Sequence, residues 1–88
     1  MFVILFYDVN EKRCNKALKT CRKYLQWVQN SVFEGEITEA GYEKMIFELQ
    51  SIIKKEDNDS VVAYKFRHMK YYDRKVYGID KKGETQFL

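Results

Sequence analysis

Proline is absent from this chain, glycine occurs four times and histidine once, among 88 residues. With no proline, no low-complexity segment and no internal repeat at solenoid periods, it reads as neither a linker nor an array. The lack of a glycine-rich loop argues against a small-molecule-binding regulator. No apolar run approaches the ~20 residues that span a membrane. The first apolar run lacks a basic flank and a small-residue cleavage site, which argues against a signal peptide. His68 alone and the lack of a Cys-x-x-Cys argue against a cysteine- or histidine-based metal site. The two cysteines, Cys14 and Cys21, lie seven apart in a helical pattern. Their Cα atoms would stand about 10 Å apart, too far for a disulfide. They read as buried thiols of a cytosolic protein.

What is present is apolar and aromatic. Hydrophobic residues make up 45% of the chain, with seven Tyr and six Phe. A domain this small buries only roughly 60–65% of its unfolded surface, so a homodimer is the expected outlet for the excess. The net charge of +3 conceals segregation: residues 1–30 carry +4, residues 31–60 carry −5 and residues 61–88 carry +4. One surface therefore suits a polyanion and another a cationic partner.

Met1–Tyr7 is a continuous apolar run that predicts a strand buried on both faces. Asn10 and Glu11 suit the start of a helix reaching about Leu25. Its apolar stripe is Cys14, Ala17, Leu18, Cys21, Tyr24 and Leu25. Residues 26–37 are extended, read as two short strands broken at Asn30-Ser31. Thr38 caps a second helix, about Glu39–Lys55, with the stripe Tyr42, Met45, Ile46, Leu49, Ile52 and Ile53. After a polar loop at 54–59, Ser60–Phe66 and Tyr72–Ile79 read as strands. This order predicts an α+β, ferredoxin-like β-α-β-β-α-β sandwich with an added C-terminal strand. Residues 1–79 form that domain, and residues 80–88 a tail strand joining a sheet edge or the partner protomer. Trp27, Tyr64 and Tyr77 are expected to help a second copy cover the open sheet face.

Asp8 ends the first strand, where scaffolds hold functional groups; on position alone it also reads as a cap or turn residue. Lys12, Arg13, Lys16, Lys19 and Lys23 form a basic stripe on the first helix, beside the Asp8 mouth. That pattern fits phosphate contacts that position a nucleic-acid backbone without reading its sequence, although a solvated helix face has the same pattern. Lys65, Arg67, Lys70, Arg74 and Lys75 form a second, less regular basic cluster.

Phe6-Tyr7-Asp8-Val9 at the strand end, the basic helix with Arg13 near its start, and Gln29-Asn30-Ser31-Val32-Phe33-Glu34-Gly35-Glu36 before the second helix resemble the CRISPR-associated Cas2 family. The resemblance covers about residues 1–67. It implies a ferredoxin-like homodimer serving CRISPR adaptation, a metal-dependent endoribonuclease or double-strand deoxyribonuclease, and a bridge between dimers of the Cas1 integrase. It assigns the metal carboxylate and catalytic role to Asp8, support to Ser31 and Phe33, and the helix arginine to Arg13. Many relatives carry a glycine after the first helix, where this chain has Tyr24-Leu25-Gln26.

A lone carboxylate is a poor Mg²⁺ site, because Mg²⁺ prefers one or two carboxylates together with waters and substrate phosphate. A two-fold dimer with Asp8 near its axis supplies the second one. Mg²⁺ is thus the expected cofactor, and duplex DNA or single-stranded RNA, the Cas1 integrase and a second copy are the expected partners. The acidic middle segment and the tail are the surfaces expected to meet the integrase. Two rivals stand beside this reading: a structural adaptor with a vestigial site, and a ribonuclease toxin of the virulence-associated protein D type.

Overall fold

The apolar run becomes the centre of a sheet. In the computed structural model, which describes residues 1–68 and 72–82, β1 spans Phe2–Asp8 and is hydrogen-bonded along both edges. It is followed by α1 (Glu11–Tyr24), β2 (Gln26–Gln29), β3 (Val32–Glu36), α2 (Glu39–Ile52), a short 3₁₀ turn (Lys55–Asp57) and β4 (Ser60–Phe66). The strand order is β2-β3-β1-β4, and every neighbouring pair is antiparallel. Leu5 stands opposite Phe33 on one side and Ala63 on the other. The architecture is α+β, a four-stranded antiparallel sheet with two helices.

The pleat sorts β1 into two faces. Val3, Leu5 and Tyr7 join Ala17 and Cys21 of α1, Met45 and Leu49 of α2, and Phe33 of β3 in one core. The alternate residues point the other way; Phe2 is buried there, but toward the Asp8 end the expectation of a strand buried on both faces fails. Phe6 is 40% exposed and Asp8 is exposed, because both helices cover the same side. Val62 and Tyr64 continue this open apolar face on β4.

Local chemistry explains the boundaries. The Asn10 side chain accepts the Lys12 N–H at 3.0 Å, capping α1. Leu25 ends that helix in an extended conformation, its N–H on the Cys21 carbonyl at 2.8 Å. No left-handed residue is needed there, so Tyr24-Leu25-Gln26 makes the connection without a glycine. Asn30 takes φ +46° between β2 and β3, a conformation asparagine tolerates; the two-strand reading of this segment holds. Thr38 caps α2 by accepting the Gly41 N–H at 3.0 Å. That helix stops at Ile52, short of the expected Lys55, because Ile53 turns extended and the chain tightens into the 3₁₀ turn. Both cysteines are free thiols, and burial pushes Cys21 up to about 12.

Residues 72–79 are not a strand. Tyr72 stacks on Phe2 with ring centroids 4.2 Å apart. Arg74 reaches the buried Glu34 carboxylate at 2.7 Å, which Lys82 also contacts at 2.8 Å. The segment is therefore fastened to the open face through side chains rather than through a ladder, and Gly78 at φ +96° breaks its extension. At the start of the expected tail strand, the Lys82 N–H donates to the Asp80 carboxylate at 3.0 Å. The rest of the expected tail strand, residues 83–88, lies outside the described residues. Among those described, no helix is long and apolar enough to cross a membrane.

Candidate functional site

Asp8 is the last residue of β1, exposed on the open face with Ser60 as its cross-strand partner. Its carboxylate has no hydrogen bond or ion pair among the described residues. Its position follows the backbone, and that backbone is tightly held. Two residues on, the Asn10 N–H donates to Oδ1 of Asp59 at 2.8 Å. Oδ2 of Asp59 accepts the Arg13 Nε–H at 2.7 Å and the Lys54 N–H at 2.9 Å. The second arm of the Arg13 guanidinium reaches Asp57 at 2.8 Å. The Asp59 side chain is fully buried. Its three donors, the arginine foremost, hold its carboxyl well below the usual carboxylate range, and the two aspartates push Arg13 further up.

Arg13 accordingly does not join the exposed stripe to which its spacing assigned it. Its side chain is only 12% exposed and both ends of the fork are occupied by carboxylates. Lys12, Lys16, Lys19 and Lys23 are exposed, with Arg22 beside them. Lys23 pairs with Glu48 of α2, a carboxylate that also accepts the Tyr24 hydroxyl. The second basic cluster is largely engaged within the chain. Lys65 pairs with Glu39 and lies over the Tyr42 ring, Arg74 holds Glu34 and Asp80, and Lys75 pairs with Asp73. Lys70 lies outside the described residues.

Ser31 is half-buried, and its carbonyl accepts the Tyr7 N–H at 3.1 Å. Burial pushes the Tyr7 phenol up, an effect that a bond to the Ser31 side chain partly offsets. Phe33 is fully buried and packs on Tyr7 with centroids 6.2 Å apart. It faces the helices while Asp8 faces away, so any bearing on Asp8 passes through β1. Trp27 donates its indole N–H to the Asn30 carbonyl at 2.9 Å, pinning the β2–β3 turn.

Among the described residues, no three His, Cys, Asp or Glu side chains gather as a metal site. Asp8 stands apart from any such cluster, so a cation held there would need donors beyond the carboxylates gathered around it in one chain. A groove of about 750 Å³ lies at the Phe2 end of β1, bordered by Arg22, Tyr24, Glu34, Tyr72 and Arg74. A strand of seven residues puts it about 20 Å from Asp8, so it is a separate feature. Sequence reasoning missed Asp59. An aspartate in a run of charged loop residues gives no sign that tertiary packing will bury it.

The family model for CRISPR associated protein Cas2 matches residues 1–74. The chain is 52% identical over 88 residues to a protein named CRISPR-associated endoribonuclease Cas2 from Dictyoglomus turgidum, covering all of both chains. It is 48% identical over 88 residues to one of the same name from Thermotoga maritima, covering all of this chain and 99% of the other. A crystal structure described as cas2 superposes with a TM-score of 0.83 at 40% identity, covering all of this chain and 97% of that one. The motifs around Asp8 and Ser31–Glu36, the four-stranded sheet and these matches agree: the chain belongs to the CRISPR-associated Cas2 family.

Proposed function

We propose that this protein is a cytoplasmic, metal-dependent endoribonuclease of CRISPR adaptation that works as a ferredoxin-like homodimer and bridges the Cas1 integrase. The observation that carries this reading is Asp8. In a chain whose relatives are named endoribonucleases, an exposed carboxylate without a partner among the described residues ends the central strand, next to a helix face of exposed lysines. The strand order β2-β3-β1-β4 supports the ferredoxin-like assignment. The open face carrying Phe6, Val62 and Tyr64 supports a second copy packed against it.

Asp8 and Asp8 of a second copy would hold Mg²⁺, a hard cation suited to carboxylate oxygen, waters and substrate phosphate. When bound, that ion polarises a phosphoryl oxygen and activates a water. The chain's own residues do the rest. Lys12, Lys16 and Lys19 contact backbone phosphates and hold the nucleic acid across the site.

The test is cleavage of labelled single-stranded RNA and duplex DNA by wild type and Asp8→Ala, with Mg²⁺ and with chelator. Cleavage of RNA that disappears in both controls is the expected result. Cleavage that survives Asp8→Ala, or none by wild type, leaves a second reading: a structural adaptor that bridges the integrase and binds DNA through the same lysines. That reading is favoured by one observation: among the described residues, no three His, Cys, Asp or Glu side chains gather as a metal site.

A further inference from the structure

The Asp8 carboxylate is aimed by its backbone, so whatever fixes that backbone governs the site. Two constraints act on it. One is the ladder with β4, where Asp8 stands opposite Ser60. The other is the loop after it, where the Asn10 N–H is held by Asp59 at 2.8 Å. Asp59 directly precedes Ser60, so one side chain bears on both constraints. Its remaining bonds reach the first turn of α1 through Arg13 and the end of the α2 loop through Lys54. Asn58, at φ +62°, turns the chain so that this carboxylate points inward. A turn residue serving only its own loop would need the Lys54 bond and nothing from α1.

Resting on the nuclease reading, we propose that Asp59 is the positioning residue of the Asp8 site: its buried carboxylate locks Asn10, Arg13 and the start of β4 together and thereby sets where the Asp8 carboxylate points. Arg13 is the other half of the lock. The arginine of the basic helix then serves the site by orientation, not by phosphate contact. Asp57, half-exposed, with a carboxylate that among the described residues meets only the outer arm of Arg13, is a natural control.

The experiment compares wild type, Asp59→Asn, Asp57→Asn and Asp8→Ala as full chains, with Mn²⁺ as the probe. One readout is the Mn²⁺ concentration that half-broadens the amide resonances of residues 8 and 60. The other is kcat and KM on a single-stranded RNA. Asp59→Asn is expected to raise the half-broadening concentration about tenfold and lower kcat about tenfold, as loss of an orienting partner does. Its KM stays within about twofold, because the lysines that bind phosphate are untouched. Asp57→Asn changes each value by no more than about twofold. If Asp59→Asn does not fold, Arg13→Lys replaces it. That variant keeps a cation opposite the buried carboxylate but loses the planar fork, and the same shifts are expected. A folded variant with wild-type Mn²⁺ response and kcat overturns the positioning role alone. A wild type without Asp8-dependent broadening and without Asp8-dependent cleavage overturns the nuclease reading, and the positioning role with it.

Discussion

Nε of Arg13 lies 2.7 Å from Oδ2 of Asp59, a bond between residues 46 positions apart. It joins the first turn of α1 to the loop entering β4, and with it the two segments that flank the end of β1. Several consequences can be measured.

Acid stability is the first. The folded Asp59 carboxyl titrates below its ordinary range, so the folded state binds fewer protons than the unfolded chain. The stabilisation is fully present above the unfolded value of about 3.9 and is lost as pH falls through the folded one. Thermal melts should be flat through the neutral range and decline below about pH 4. Asp59→Asn should melt lower at neutral pH, by on the order of 10 °C, with a shallower acid limb. An unchanged acid limb would assign the acid sensitivity to other carboxylates.

The open face makes a prediction about assembly. Phe6 and Tyr64 stack edge to face at 6.0 Å and are 40% and 55% exposed. The proposed dimer should form in sedimentation velocity with wild type, and Phe6→Lys with Tyr64→Lys should give a monomer while the far-ultraviolet spectrum is retained. A dimer of undiminished stability would exclude this face as the interface.

The helix lysines can be separated from Arg13 by salt. Each phosphate contact contributes about 0.9 to the slope of log affinity against log salt on duplex DNA. Replacing Lys12, Lys16 and Lys19 by Gln should flatten the slope by up to that amount per residue. Arg13→Gln should leave it nearly unchanged and lower the melting temperature instead. A slope that falls equally for Arg13→Gln would mean that the Asp59 pair opens to admit phosphate.

Phe33 is a core residue in the structure, fully buried against Tyr7. Phe33→Ala should cost about 3–5 kcal/mol of stability in denaturant unfolding, whereas Phe33→Leu should cost far less and keep cleavage. Loss of cleavage in a stably folded Phe33→Leu would give the ring a direct part in the site.

Most of the element order was legible because hydrophobic periodicity reports local geometry. The stripes from Cys14 to Leu25 and from Tyr42 to Ile53 are helical, and Asn30 marks the break between β2 and β3. Where the reading failed, the deciding contact was distant in sequence. Tyr72–Ile79 has the composition of a strand, but stacking on Phe2 and the pull of Glu34 hold it off any ladder. Arg13 has the spacing of the lysine stripe. Only the arrival of residues 57–59 beside the start of α1 turns it from a surface cation into half of a buried pair. Asp8 was visible as the end of an apolar run, while the residue that fixes its backbone was not.

The position of β1 between β3 and β4 also shapes how the chain is made. Both of its partners come later, β3 after α1 and β4 only after α2. Until Ser60–Phe66 has been synthesised, Phe2–Tyr7 is an apolar, β-prone segment with one edge unsatisfied. Segments of that kind are the ones that mispair between chains. Sheet closure here is governed by contacts far apart along the chain, which slows it. The strand that carries Asp8 is therefore also a point at which the nascent protein is exposed to aggregation.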